Sequence, residues 1–409
     1  MSATDFGSRA HVIRSDKEAI EIAREVASRL AESAIARDQE RRLPAAELEE
    51  LSTSGLLAIT VPRAHGGAEV TIETVIEVFR VLSTADPAIG QLPQNHFVFA
   101  EAIRQDGSAE QRDYFFAQIL SGARLGNAQA ERNTGSALDL RTRLLSHPDG
   151  TFRLDGTKYY CTGALLAQWI PVAAIDEQGR GVLAYVRRDA VGVEVLSDWN
   201  PMGQRVTFSG TAHFKNVTVT PLQVIPHWRI FERPNIFHSF GTLLHAAIDT
   251  GIARAALQDA SSLIRSRKRP RLGAPVAATL EDPLLLARFG QLAANLHALE
   301  AYLAAAARLH DEAHKDLGEH TAAEAAAAAS GVKAFAEDVA IEISSEIFAL
   351  IGSASTDEGL DLHRHWRNAR THTVHDANQW RYHGLGLFAL TGQPIGKPVR
   401  RLASGALPE

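Results

Sequence analysis

The sequence predicts an N-terminal α-helical domain over 1–125, a middle antiparallel β domain over 126–228 and a C-terminal four-helix bundle over 229–409. Three observations carry this. Apolar residues recur three and four apart from 16 to about 121. Runs of β-branched residues punctuated by Gly, Asn and Asp then take over to about 225. Beyond 230 come helical patterns roughly 30 residues long, rich in Ala and joined by short connections.

The first segment opens with DKEAIEIAREVASRLAESAIARDQE (16–40), whose apolar stripe faces a polar one rich in Glu and Asp. PAAELEELSTSG follows, with Pro44 near its start and Gly55 as a stop. VPRAHGGAE is a turn, and helical patterns resume at 71–84, 88–105 and 108–121. In the second segment, LRTRLLSHPDGTFRLDGTKYYCTG reads as two strands about a Pro-Asp-Gly turn. GVLAYVRR, GVEVLSDW and GTAHFKNVTV supply further strands.

In the third segment a long helix runs from about 237 to Pro270. The next is capped by Asp282 with Pro283 at its first position. A third is expected to start at the Thr321-x-x-Glu324 capping pattern, and a fourth spans roughly 365–390. The Ala-rich run 322–329 lies inside sustained periodicity, which reads as a packed helix face.

Composition narrows the function classes. Of 409 residues 45% are hydrophobic and 22% charged, with a net charge of −6, so no nucleic-acid or anionic-membrane partner is expected. The basic run RSRKRPR (265–271) is too short to change this and remains a candidate anion site. Cys161 is the only cysteine, so no intrachain disulfide forms and a reducing compartment fits. The polar start MSATDFGSRAHVIRSDKEA lacks a signal-peptide core, and no apolar run approaches the ~20 residues of a membrane helix. The expected location is cytoplasmic.

Several stretches together resemble the acyl-CoA dehydrogenase superfamily over nearly the whole chain. They are GLLAITVPRAHGG (55–67), GNAQAERNTGS (126–136), LDGTKYYCTGA (154–164), GTAHFKNVTV (210–219) and the bundle stretch WRNARTHTVHD (366–376). IGQLPQNH (89–96), SDWNPMGQR (197–205) and HAAIDTGIARAAL (245–257) narrow the resemblance to the SfnB-type sulfur-acquisition branch, itself similar to dibenzothiophene monooxygenase. The resemblance implies a homotetramer with flavin held between the β domain and the bundle, a neighbouring subunit contributing to each site.

The same resemblance assigns residues. Thr162 matches a threonine or serine that hydrogen-bonds flavin N5; as a residue alone it also fits a plain strand end. Holding the N5 proton in a dry pocket slows wasteful release of hydrogen peroxide. Asn127, Ala130 and Glu131 of GNAQAER are expected along the flavin ring, and Lys158 of the G-x-K-x-x-x-T-x-G pattern joins the cofactor-binding group. Arg269 matches an arginine that reaches a flavin phosphate across the subunit interface, although a helix C-terminus favours a cation anyway. Relatives often carry an aromatic where this chain has Arg271, so loop 271–281 is expected to differ. Asn95 and His96 fall on a helix over the substrate side, with His96 a candidate catalyst; a satisfied core histidine is the plainer alternative. Trp366 and Arg367 match flavin-contacting bundle residues.

His372, His375 and His383 cluster within twelve residues and raise the question of a metal. No H-E-x-x-H motif or cysteine pair accompanies them, so no metal is expected. Dehydrogenases of the superfamily keep a Tyr-Glu-Gly here, whose glutamate abstracts a proton from the thioester substrate. This chain has His375-Asp376-Ala377, and the shorter aspartate would fall over ~1 Å short. His-Asp is what flavin oxygenases on this fold show, which makes His375 and Asp376 the catalytic expectation. A buried structural pair is the alternative. EIFALIGSAS (346–355) lacks the paired glycines that line the adenosine of FAD in the dehydrogenases, pointing to the shorter FMN.

The leading expectation is an FMNH2-dependent monooxygenase acting on a small organosulfur compound with O2. A separate flavin reductase would supply reduced FMN, since no nicotinamide fingerprint is present. The alternatives are an FAD-dependent acyl-CoA dehydrogenase with Asp376 as base, and a non-catalytic flavin-binding member.

Overall fold

Twelve helices and seven strands follow the expected order in the computed structural model, which describes residues 10–395 apart from 133, 136–138, 268–269 and 271–272. The N-terminal helices are α1 (Asp16–Glu32), α2 (Ala34–Glu40), α3 (Ala45–Thr53), α4 (Ile72–Ala85), α5 (Pro87–Gln91), α6 (Gln94–Asp106) and α7 (Ala109–Leu120). The single helix expected over 16–40 breaks at Ser33, whose ψ of 12° leaves the helical range. Pro93 likewise divides the 88–105 pattern into α5 and α6.

The strands are β1 (Arg143–Ser146), β2 (Phe152–Lys158), β3 (Trp169–Ile175), β4 (Gly181–Arg187), β5 (Val193–Val195), β6 (Ala212–Val219) and β7 (Val224–Ile225). They form one sheet in the order β5-β6-β2-β1-β3-β4-β7. The Pro-Asp-Gly turn joins β1 to β2 in antiparallel register, Arg143 opposite Asp155. Among the described residues only the β1–β3 strand pairing is parallel, so the sheet is mostly antiparallel.

The C-terminal helices are α8 (Phe237–Ser266), α9 (Pro283–Lys315), α10 (Glu319–Ile351), α11 (His363–Thr373) and α12 (Asn378–Thr391). Asp282 caps α9 as expected, its Oδ1 accepting from the Leu284 and Leu285 amides at 3.0 and 3.3 Å. Thr321 is displaced from the capping position: α10 starts two residues earlier, and Thr321 Oγ1 accepts the Gly318 amide from within the first turn. The Ala-rich run is a core face, since Ala325, Ala327, Ala328 and Ala329 are buried. Small side chains there let α10 lie close along α8.

The helix expected over 365–390 is two helices, and the break falls on Val374-His375-Asp376-Ala377. Val374 ends α11, and Ala377 is extended at ψ 103°. Asn378 restarts the chain by donating to Ala334 O and Asp338 Oδ1, both at 3.3 Å. His375 and Asp376 therefore sit on a bend held against α10, not on a continuous helix.

Candidate flavin site and its relatives

Three walls meet where β2 runs out into the 159–164 turn. A Cβ built on Gly163 would lie 3.4 Å from the Leu92 carbonyl oxygen, and one on Gly241 of α8 would lie 3.4 Å from Val98 Cγ2. The end of α5 thus touches the strand turn, and α6, which follows it, touches the start of α8. Tyr160, on the turn, holds φ 56°, a left-handed conformation costly for a residue with a Cβ. Gln204 and Phe208 share that conformation at φ 50° and 45°. All three flank one hydrogen-bonded chain of hydroxyls.

That chain has a direction. Thr207 Oγ1 donates to the Gln204 carbonyl at 3.1 Å. Having spent its proton, Thr207 accepts from Ser209 Oγ at 2.8 Å, and Ser209 in turn accepts from Thr162 Oγ1 at 2.7 Å. The Thr162 amide is committed to Tyr160 O at 2.9 Å. What remains on the Thr162 hydroxyl is an oxygen lone pair. It is an acceptor, the partner that the N5–H of reduced flavin needs. Nothing in the sequence spacing announces Ser209 or Thr207, since the loop before β6 meets the turn after β2 only when the two strands pair.

Beside it runs a chain of amides. Asn127 Nδ2 donates to Tyr160 O at 3.0 Å, and Gln129 Nε2 bridges Asn127 Oδ1 (3.2 Å) and Asn95 Oδ1 (3.4 Å). Ala130 accepts the Tyr159 amide at 2.9 Å, extending β2 past its end. Asn95, Asn127, Ala130 and Thr162 are thus brought together, with Gln129 as a member the sequence did not single out. Tyr160 is half exposed and meets Trp199 edge-on, ring centres 6.2 Å apart.

Glu131 and Lys158 depart from the expected cofactor contact. Lys158 is fully buried, and its Nζ donates to Glu131 Oε1 at 2.7 Å and Gln129 O at 3.1 Å. The Glu131 carboxylate also accepts from the Arg141 and Thr142 amides and the Thr142 hydroxyl. Burial works against its charge, but Lys158 and Thr142 override this and hold its pKa down to about 2. With donors on both oxygens, this pair ties the 126–131 segment to β1 and β2.

His96 also departs from its expected role. Its Nδ1 accepts the Leu125 amide at 3.1 Å, so Nε2 carries the proton and donates to Leu57 O at 2.7 Å. Both nitrogens are spent on backbone, and burial pushes the pKa down to about 4. A pin among α6, the 55–67 motif and the approach to the site is what this geometry makes. His310 and His365 are likewise buried and held near about 4. Unfolded histidines take up protons below pH ~6.5 whereas these three stay neutral to about 4. Unfolding free energy is therefore expected to fall as pH drops from ~6.5 to about 4, and His96→Gln should flatten part of that slope in urea titrations.

Arg367, expected at the cofactor, has its guanidinium committed within the chain as a clamp. It donates to Asp38 Oδ2 at 2.5 Å, Asp361 Oδ1 at 3.0 Å, Met202 O at 2.9 Å and His363 Nδ1 at 2.7 Å. Its backbone abuts Gly203, where any Cβ would lie 2.0 Å from Arg367 O. The next residue, Asn368, accepts the Gln204 amide at 2.6 Å. Through these contacts α11 holds the loop from which the hydroxyl chain starts. Trp366 keeps 36% of its surface exposed. Arg269 lies outside the described residues.

At the bend after α11, His375 is largely exposed and stacks on His245 of α8, ring centres 4.8 Å apart and tilted 32°. Asp376 is tied by Arg381 through both carboxylate oxygens. Burial works to raise its pKa, but His375, 3.9 Å away at Nδ1, and Arg381 hold it far below the usual carboxylate range. A carboxylate so stabilised is a poor proton acceptor, which disfavours Asp376 as the base of a thioester dehydrogenase. Among the described residues no cluster of three or more His, Cys, Asp or Glu is arranged to hold a metal ion. No helix among them is long and apolar enough to cross a membrane.

Two family models match, the acyl-CoA dehydrogenase N-terminal domain over 16–123 and its C-terminal domain over 243–380. The chain belongs to the acyl-CoA dehydrogenase superfamily. Within it, the chain is 32% identical over 394 residues to a dibenzothiophene monooxygenase of Rhodococcus erythropolis, covering 92% of this chain and 94% of that one. It is 31% identical over 384 residues to a probable FMNH2-dependent monooxygenase, SfnC, of Pseudomonas putida, covering 91% and 95%. Among solved structures, FMN-bound TdsC from Paenibacillus sp. A11-2 superposes with a TM-score of 0.88 at 28% identity, covering 92% and 99%.

Proposed function

We propose that this chain is an FMNH2-dependent monooxygenase that inserts one atom of O2 into a small organosulfur compound, working with a separate flavin reductase and as a homotetramer. The observation that carries the reading is the directed hydroxyl chain ending at Thr162, which leaves Thr162 an acceptor of the kind that the N5–H of a reduced flavin would donate to. Similarity to a dibenzothiophene monooxygenase and to an FMNH2-dependent enzyme supports the substrate class and the cofactor.

Bound FMNH2 supplies the two electrons that activate oxygen. Thr162 would accept a hydrogen bond from the ring, and the Asn95–Gln129–Asn127 amides would orient its polar edge. The Tyr160–Trp199 pair would shield the pocket from water. Trp366 is a further candidate contact. His375, with Asp376 fixed beside it by Arg381, would relay a proton to the oxygen atom that leaves as water. Arg269 would reach the phosphate from a neighbouring subunit.

The test supplies FMNH2 from a purified reductase, with O2 and a panel of thioethers, sulfinates and dibenzothiophene. Oxygenated product in stoichiometry with FMNH2 is expected; hydrogen peroxide alone with every substrate would refute the reading. Thr162→Val keeps the shape but removes the acceptor, and about a tenfold fall in product per FMNH2 is expected with hydrogen peroxide rising in its place. Thr162→Ser should restore coupling. A dehydrogenase would instead bleach oxidised FAD with acyl-CoA in the absence of oxygen.

A further inference from the structure

Behind His375 the bundle holds a line of ionisable groups to which the proposed reaction gives no task. Lys333 of α10 places Nζ 3.0 Å from Asp249 Oδ2 on α8, and both side chains are buried. Asp249 Oδ1 lies 2.5 Å from His372 Nδ1 on α11. His372 Nε2 lies 2.9 Å from Nδ1 of His245, one turn before Asp249 on α8. The His245 ring then stands between His372, 5.0 Å away, and His375, 4.8 Å away.

Proton bookkeeping along this line has one neutral solution. A carboxylate only accepts, so His372 Nδ1 carries a proton and its Nε2 is a lone pair. His245 must then donate from Nδ1, which leaves its own Nε2 bare. Asp249 stays ionised: burial opposes its charge, but His372 and Lys333 together lower its pKa. We propose that Lys333, Asp249 and His372 are positioning residues that hold His245 as a neutral, Nδ1-protonated ring, so that of three adjacent imidazoles His375 alone takes up a proton. This rests on the reading of His375 as the proton-carrying group of the site.

The surroundings of His245 favour the same distribution. His372 of α11 and Lys333 of α10 act on it directly, while further out Glu337 of α10 faces Lys333, Asp249 and Arg370, and His238 of α8 faces His375. The bend adds His375 and Asp376, and Arg381 of α12 stands behind them, bonded to Asp376 and facing His238. Burial, the largest cause, lowers the His245 pKa well below the usual imidazole value, and positive charge on His375 and on Lys333 pushes the same way against Asp376. A protonated His375 stacked on a neutral ring is stabilised by the π face, whereas two cationic rings at that spacing repel. The line thus decides which ring is charged without touching a substrate.

The test uses flavin-free protein labelled with ring-15N histidine, followed from about pH 5.5 to 8.5, with His245→Gln, His372→Gln and His375→Gln for assignment. In the wild type, His375 should titrate while His245 and His372 keep Nδ1–H and a bare Nε2 throughout. In Asp249→Asn the amide oxygen turns to Lys333 and its NH2 to His372 Nδ1, so both rings should flip to the Nε2–H form. Product formation at neutral pH should then fall about tenfold, with its pH profile displaced. Titration of His245 together with His375, unchanged tautomers in Asp249→Asn, or flipped tautomers with an unaltered pH profile would each overturn the proposal. The wild-type spectra decide even if Asp249→Asn folds poorly. Failure of the oxygenase reading shows separately, as absent product from wild-type protein whose spectra are as expected.

Discussion

His375→Gln is expected to lower oxygenated product by roughly 10²–10⁴-fold, the usual worth of a positioned proton donor or acceptor. Its side chain is 61% exposed, so thermal stability should hardly change. FMN affinity is expected to stay within about threefold, because the contacts assigned to the ring come from other walls of the site. The measurement is product per FMNH2 at saturating substrate, beside hydrogen peroxide yield and a melting curve. Wild-type coupling in this variant would remove His375 from the chemistry. Asp376→Asn separates the competing enzymes: Arg381 already holds Asp376 as a fixed anion, so a fall of about tenfold is expected in an oxygenase. Complete loss of acyl-CoA-dependent flavin bleaching in that variant would belong to a dehydrogenase instead.

Arg367→Met is expected to cost about 3–5 kcal/mol of folding stability, the range for removing one partner of a buried ionic network. Without the guanidinium, Asp38 and Asp361 are left facing each other in a buried site, and Arg205 reaches only Asp38. Burial and then Asp38 hold the Asp361 pKa above the ordinary carboxylate value even with Arg367 present. A proton taken by Asp361 relieves the repulsion, so the penalty should shrink as pH is lowered. Urea unfolding of both proteins at neutral and mildly acidic pH measures this. A variant with native stability but lost FMN binding would restore Arg367 as a cofactor contact and defeat the clamp.

The pair Trp366–Arg367 shows how far the sequence can be read. Helical spacing puts the two on neighbouring faces of α11, and the family pattern marks both, but neither says which face meets the core. Asp38, 329 positions earlier in the chain, settles Arg367. The same holds for Glu131 and Lys158, whose motif is legible while their partnership depends on the pairing of β1 with β2. His96 was visible as a histidine on a helix. Its commitment to Leu57 and Leu125 was not, because those backbone groups arrive from two other segments.

What the amino-acid sequence determined by itself was the alternation of helix, strand and helix, the family, and the residues Asn127, Thr162, His375 and Asp376 as places to look. Periodicity and short motifs are local, and local chemistry is enough for them. Tertiary structure alone decided the proton directions. Thr162 becomes an acceptor because Ser209 and Thr207, on the loop before β6, use its proton, and His245 gains its place behind His375 because α8, α10 and α11 pack together. A hydrogen bond's direction depends on every later member of its chain. Those members are scattered along the sequence and meet only when it folds.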